Sequence, residues 1–285
     1  RDNKLIVQAV ANEQRVGPVK RFEVGDISDI YLRRDGRSAA IVHGSDRSSW
    51  EVVNLETGGS TGPSDRQTQI VNIALSDDGK LAALCTPAGE VNLYSLEGGK
   101  LQFEYDLGKA WREFEGKRGH IADHPLGVRS LAFLPDGRTL ATGDSFHAIR
   151  FWSLEQRGES REKSVPLRNT PTALAITADG SMGASLDEMN MVRFWDLDPT
   201  SHRILGGSLQ LPGSSQAFIV NHDVTIQLPG NPRGIVFGPD SKSFHALFHE
   251  GRRLSWKIDM ARMREEACKL VEDPQKHAQY CGTAK

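Results

Sequence analysis

Residues 128–154 read VRSLAFLPDGRTLATGDSFHAIRFWSL. Val128 to Phe133 alternates with a period of two, the pattern of a half-buried strand. Pro135-Asp136-Gly137 then turns the chain, because Pro presets φ and Gly accepts a positive φ. Thr139 to Asp144 reads as a second strand, and Ile149 to Leu154, which carries Trp152, as a third. A more polar outer strand is expected near Lys163 to Leu167. Antiparallel strands joined by short turns make a meander. A sheet this small cannot bury both of its faces alone, so it must stack on others like it.

Others like it are present. The same plan recurs at the turns Asp35-Gly36, Asp78-Gly79, Asp179-Gly180 and Asp240-Ser241. Fifteen residues after the turn Gly (or Ser241), four units place an aromatic: Tyr94, Trp152, Trp195 and Trp256. In the first unit Val53 takes the slot, seventeen residues after Gly36. Trp50 falls off phase there and is expected to be exposed. Successive turn Asp residues are 43, 58, 43 and 61 residues apart. Two units therefore have the bare four-strand length of roughly 40–45 residues, and two carry extra material. The pattern predicts an all-β chain: a β-propeller of four-stranded antiparallel blades over residues 1–258, then a helical tail over 259–285. Val19 to Val24 is expected to close the ring by joining the last blade. Lys4 to Val10 has no unit of its own and reads as the third strand of a blade without its front half. The chain is then a stretch of a longer propeller, with a small closed ring as the alternative.

Composition narrows the function classes. Lys and Arg total 35 and Asp and Glu 37, a balance that argues against a polyanion binder, so no nucleic-acid partner is expected. No apolar run approaches the roughly 20 residues that cross a bilayer, so no membrane partner is expected either. Three Cys, at 85, 268 and 281, are an odd and sparse count that fits cytosolic thiols and a cytoplasmic location. Cys85 lies in an apolar run and reads as a buried inert thiol; whether Cys268 and Cys281 pair is left open.

These residues resemble the WD-repeat family of β-propellers. Trp195-Asp196 is the family's dipeptide as it stands, and the stretch His124 to Leu154 is similar to a whole repeat. In the family a His before the first strand bonds a hydroxyl on the second strand, which reaches the Trp of the third. The resemblance assigns these roles to His124, Thr142 and Trp152. The family's turn Asp is out of place: Phe146 stands there, with Asp144 two residues earlier. The end of the chain, with Ala267-Cys268 and Tyr280-Cys281, is similar to the C-terminal extension of bacterial multidomain WD-repeat proteins, often with a STAND-type nucleotide switch. The resemblance implies a C-terminal interaction or sensor propeller of a larger signalling or defence protein. Its partner would be a protein or peptide, including another domain of its own polypeptide.

The insertions carry the candidate sites. Residues 108–120 interleave Trp111 and Phe114 with Arg112 and Arg118, the residue types of interface hot spots. Ala217 to Val220 and Val224 to Leu228 read as an extra hairpin beside an outer strand at Ile204 to Leu211. Asp259 caps a tail helix with Met260, Met263, Ala267 and Leu270 on one side.

Catalytic signatures are not found. The sequence holds no P-loop, no Gly-x-Gly-x-x-Gly, no His-Glu-x-x-His, no Cys-x-x-Cys and no Gly-x-Ser-x-Gly. Asp35, Asp78, Asp136 and Asp179 recur because the turns need them, not as a catalytic set. His120, Asp123 and His124 are too few and too local for a metal site. No cofactor, metal or catalytic residue is expected. The competing reading is a propeller enzyme, lactonase- or quinoprotein-like, with its site in a central channel.

Overall fold

The computed structural model describes residues 4–11, 14–62, 69–97, 102–106, 127–155, 158–197, 217–220, 223–228, 230, 232–248 and 252–258. Their regular structure is entirely β. An amino-terminal pair, β1 (Lys4–Ala11) and β2 (Gln14–Glu23), comes first. Unit 1 holds β3 (Ile27–Leu32), β4 (Ser38–His43), β5 (Ser49–Asn54) and β6 (Ser60–Thr61). Unit 2 holds β7 (Asn72–Leu75), β8 (Leu81–Cys85), β9 (Val91–Ser95) and β10 (Gln102–Asp106). Unit 3 holds β11 (Ser130–Phe133), β12 (Thr139–Asp144), β13 (Ala148–Ser153) and β14 (Gly158–Pro166). Unit 4 holds β15 (Pro171–Ile176), β16 (Met182–Asp187), β17 (Met191–Asp196), β18 (Ala217–Val220) and β19 (Asp223–Gln227). Unit 5 holds β20 (Pro232–Phe237), β21 (Ser243–Phe248) and β22 (Arg253–Lys257).

Each unit is one antiparallel sheet in chain order, except that in unit 4 β19 pairs with β17 and β18 lies outside it. The sheets stack in sequence, a propeller-like arrangement, and among the described residues the stack does not close. The first expectation to fail concerns β2. It pairs with β1 from Glu23↔Lys4 to Gln14↔Ala11, not with β22 of the last unit. β1 is its neighbour in sequence, and consecutive strands pair most often.

The turns are built alike. Oδ1 of Asp35, Asp78, Asp136, Asp179 and Asp240 accepts the amide two residues on, at 2.8–3.0 Å. The residue between has positive φ in every case: Gly36, Gly79, Gly137, Gly180 and, without a glycine, Ser241 at 54°. An Asp that closes its own turn amide is the reason this residue recurs.

Register explains the aromatic slot. Val53, Tyr94, Trp152, Trp195 and Trp256 all stand opposite the same second-strand position, held by Ala39, Ala82, Leu140, Gly183 and Phe244. Each slot residue packs toward the unit before it. Tyr94 joins Ala40 and Val42, Trp152 joins Ala83 and Cys85, and Trp195 joins Ala141 and Phe151. Val53 points the same way, onto Leu5 and Val24 of the amino-terminal pair. In unit 4 alone the ring lies over its partner position, where a Cβ on Gly183 would meet Trp195 ring carbons at 2.2–2.4 Å; Trp152 and Trp256 stand opposite Leu140 and Phe244.

Trp50 corrects a second expectation. It is 1% exposed rather than on the surface. It lies on the other face of β5 from Val53 and meets Tyr94 edge-on, with ring centroids 5.4 Å apart. Unit 1 thus keeps a Trp in the stack but contributes it to the interface with unit 2. Cys85 is buried, and burial pushes its thiol up to about 12, which keeps it un-ionised and unreactive.

Candidate functional site

Strand reversals define two ends of the stack. One end carries the turns between second and third strands, together with Asp106 and Gly127, the residues that flank the 107–126 stretch. Gly127 sits directly on the turn of unit 2, where a Cβ on Gly89 would meet its amide nitrogen at 2.3 Å. The sequence candidates Trp111, Arg112, Phe114 and Arg118, and His120, Asp123 and His124, lie outside the described residues. So do Ile204 to Leu211 and the tail 259–285.

Around this end the charged side chains are tied into the sheets. Arg47 takes a positive φ of 54°, which turns its side chain back over β3. It pairs with Asp29 and donates to Ile70 O at 2.7 Å, Tyr31 Oη at 3.1 Å and Val71 O at 3.2 Å. Tyr31 in turn donates to Val71 O at 3.0 Å. One guanidinium thereby laces units 1 and 2. Burial, with Asp29 beside it, pushes the Tyr31 hydroxyl up to about 12. Burial works against the Arg47 charge, but its bonds to Asp29 and Tyr31 and the attraction of both together outweigh it, and the guanidinium is held above its ordinary value. Arg233 of unit 5 reaches the other oxygen of Asp29 at 3.4 Å, 204 residues away in sequence.

Units 3 and 4 repeat one device at this end. The buried Asp144 accepts Phe146 N at 2.9 Å, Ala148 N at 3.2 Å and Arg150 Nε at 2.6 Å. Burial pushes its carboxyl up despite Arg150. Asp187 accepts Met189 N and Met191 N, both at 2.9 Å, and Asn169 Nδ2 at 2.8 Å. The turn carboxylate thus sits on the last residue of the second strand. Thr142 Oγ1 accepts Trp152 Nε1 at 2.8 Å in the interior. Among the described residues Nε1 of Trp50, Trp195 and Trp256 is buried with no hydrogen-bond partner, as is Arg193 Nε. Asp196 belongs to β17, beyond which nothing is described of its side chain.

The opposite end carries the Asp-Gly turns. Here Arg34 donates to Asp77 Oδ2 at 2.8 Å and to Phe133 O at 3.0 Å, joining units 1, 2 and 3. Burial pushes Arg34 down and Asp77 up, against their mutual attraction. Sequence reasoning missed both this arginine and Arg47. The signal was an Arg beside a turn, which reads as surface until its neighbouring turns are in place. A cavity of about 240 Å³ opens between units 1 and 2, lined by Arg33, Asn54, Thr61, Leu75, Gly79 and Leu96. It is smaller than the roughly 300–1,000 Å³ of small-molecule sites, and Arg33 is already clamped on Asp35 at 2.6 Å. Among the described residues no three His, Cys, Asp or Glu side chains converge as a metal site. His245 Nδ1 lies 2.9 Å from Ser255 Oγ across the sheet, and His249 is outside the described residues. Among the described residues no helix is long and apolar enough to cross a membrane.

No family model matches the chain, and no curated protein matches it. Among solved structures it is similar to hydrazine synthase of Kuenenia stuttgartiensis, at 17% identity and a TM-score of 0.51 over 76% of this chain. The match spans 54%, about half, of that chain's length. At this identity the likeness shows the fold alone: a propeller-like stack of small antiparallel sheets.

Proposed function

We propose that the chain is a non-enzymatic interaction or sensor module, a WD-repeat propeller that serves as scaffold in a larger multidomain signalling or defence protein. The observation that carries this reading is how the charged groups are used. Asp29, Arg47, Arg34, Asp77, Asp144 and Asp187 are spent on turn amides, carbonyls and one another, between and within units. Groups committed in this way stiffen a disc; they do not present a reacting constellation. The buried Thr142–Trp152 bond adds support for the WD-repeat assignment. A rigid disc presents its connecting loops to proteins or peptides, and the 108–120 stretch has the composition of such a contact.

The test is affinity capture from native lysate by the wild type beside a Trp111→Ala/Phe114→Ala/Arg118→Ala variant. A protein retained by the wild type and lost by the still-folded variant supports the reading and assigns the contact. Capture by neither removes the external partner and leaves an intramolecular role. The competing reading, a propeller enzyme, takes its only external support from the name of the hydrazine synthase. Turnover by the purified chain, or a stoichiometric metal in it, would replace the scaffold reading.

A further inference from the structure

The cavity between units 1 and 2 exists because unit 1 is built small where other units are built large. The residue one before the slot faces the next unit. It is Leu93, Phe151 and Phe194 in units 2, 3 and 4, but Val52 in unit 1. Its outer-strand partner is Tyr105 in unit 2, but Thr61 in unit 1. The second-strand residue before the slot's partner is Leu81 in unit 2 and Met182 in unit 4, but Ser38 in unit 1. Three shortened side chains on one face of one sheet leave the opening of about 240 Å³.

The shortened residues also change its chemistry. Arg33 spends Nε and Nη2 on Asp35, at 2.8 and 2.6 Å. Its Nη1 lies over the turn of unit 2, where a Cβ on Gly79 would meet it at 2.2 Å. Asn54 Oδ1 accepts Glu56 N at 2.8 Å and Thr57 N at 3.0 Å, which fixes the amide and turns Nδ2 the other way. Among the described residues Arg33 Nη1, Asn54 Nδ2 and the hydroxyls of Ser38 and Thr61 carry no hydrogen bond. Every one of these groups can donate, and one carries a positive charge. Among the described residues no carboxylate lines the cavity. Glu56 and Glu97, beside its lining in sequence, are exposed and paired with Arg37 at 3.5 Å and Lys80 at 3.3 Å. The remaining wall is aliphatic: Val52, Leu75 and Leu96.

We propose that this cavity binds a free short-chain aliphatic carboxylate. Its stem lies against Val52, Leu75 and Leu96, and its oxygens accept from Arg33 Nη1 and the amide and hydroxyls beside it. A carboxylate is acceptor-only, which matches a lining of unspent donors, and a guanidinium edge is its best single partner. The size excludes drug-sized molecules and leaves room for an acid of a few carbons. The site gives the sensor reading a ligand class and rests on that reading only for its purpose, since binding is measured apart from residues 108–120.

The test is calorimetric titration of the 285-residue protein at neutral pH with butyrate, butylamine, inorganic phosphate and N-acetylglutamate α-amide. Butyrate should bind one to one with a Kd of about 10 mM or tighter. Butylamine has the same stem and the opposite charge and should bind at least about tenfold more weakly. Arg33→Met should weaken butyrate by at least about tenfold, as loss of a charged hydrogen bond implies. Val52→Phe, which copies units 3 and 4, should do the same by filling the cavity. It removes no polar group, so it keeps the test open if Arg33→Met fails to fold. Arg138→Ala, on an exposed ion pair of unit 3, should leave binding unchanged. Four results overturn the proposal: no butyrate binding; equal binding by the folded Val52→Phe variant, which would put the acid elsewhere; equal binding of butylamine; or tighter binding of phosphate or the amide, which would mean an inorganic anion or an acidic side chain of a protein. Failure here with a partner still captured through residues 108–120 would remove this site and leave the interaction reading intact.

Discussion

Replacing Thr142 by Val tests whether the buried bond to Trp152 holds unit 3 together. Val keeps the shape and removes the acceptor. Thr142 is fully buried and Trp152 nearly so, and the donor–acceptor distance is 2.8 Å. The indole N–H would then be buried with nothing to bond, which costs about 1–3 kcal/mol. The added methyl returns up to about 0.8 kcal/mol of burial, so a net loss of about 1–2 kcal/mol is expected. The single variant mixes these effects. The cycle with Trp152→Phe separates them, because each change removes the same bond and the double variant loses it once. The expected coupling is about 1 kcal/mol, read from urea unfolding followed by both circular dichroism and fluorescence. Two probes are needed because stacked repeats can unfold in stages. A coupling within about 0.3 kcal/mol of zero would refute the reasoning and show that the N–H finds an equal partner in water.

Three further outcomes follow from the same geometry. Gly183→Ala should destabilise by about 1–3 kcal/mol, since its Cβ has no space against the Trp195 ring, and should cost little in a Trp195→Leu background; an equal loss in both backgrounds would sink the steric account. Trp50→Ala should cost about 3–5 kcal/mol in chemical unfolding, whereas an exposed Trp would cost within about 0.5 kcal/mol. Burial works against the Asp179 carboxylate, but bonds from Thr177, Ser181 and Ser241 hold it below the ordinary range. A lowered folded value means stability present above the unfolded value and lost as pH falls through the folded one. Between pH 5 and 3 the melting temperature of Asp179→Asn should therefore fall less than that of the wild type, and an equal fall would remove Asp179 from the acid response.

How much of this was legible depends on how local the cause is. The Asp turns were readable because Asp136 closes amides two and three residues away, within the same few positions of sequence. The slot was readable because two-residue alternation fixes which face each third-strand residue takes. Alternation does not say which neighbouring sheet lies on that face. Trp50 sits three residues before Val53, so it lies on the opposite face and is buried by unit 2, not by the sheet that receives Val53. The partner of β2 was misjudged for the same reason, since an edge strand pairs with whichever free edge the tertiary arrangement brings to it. At the ends of the stack Arg34 was invisible because its acceptor, Phe133 O, is 99 residues away.

The distribution of large rings suggests where the stack is weakest. Between units 4 and 5, Phe194, Phe237, Phe244 and Trp256 form one continuous aromatic cluster with centroid separations of 4.9–6.2 Å. Between the amino-terminal pair and unit 1 the buried set is Leu5, Val24, Ala39, Ile41, Val53 and Leu55, and the ring packed against it, Phe22, is only half-buried. Aromatic side chains bury about 150–250 Å² each, so the first interface is far richer in buried area than the second. Most of the packing runs between neighbouring sheets, with Arg34 on Phe133 O and Arg233 on Asp29 reaching further, so stability is close to a sum over interfaces and opening begins at the poorest one. Val in place of an aromatic at the first slot is thus more than a degenerate repeat. Among the described sheets it leaves the packing of β1–β2 on unit 1 the poorest in buried rings, and so the interface expected to open first.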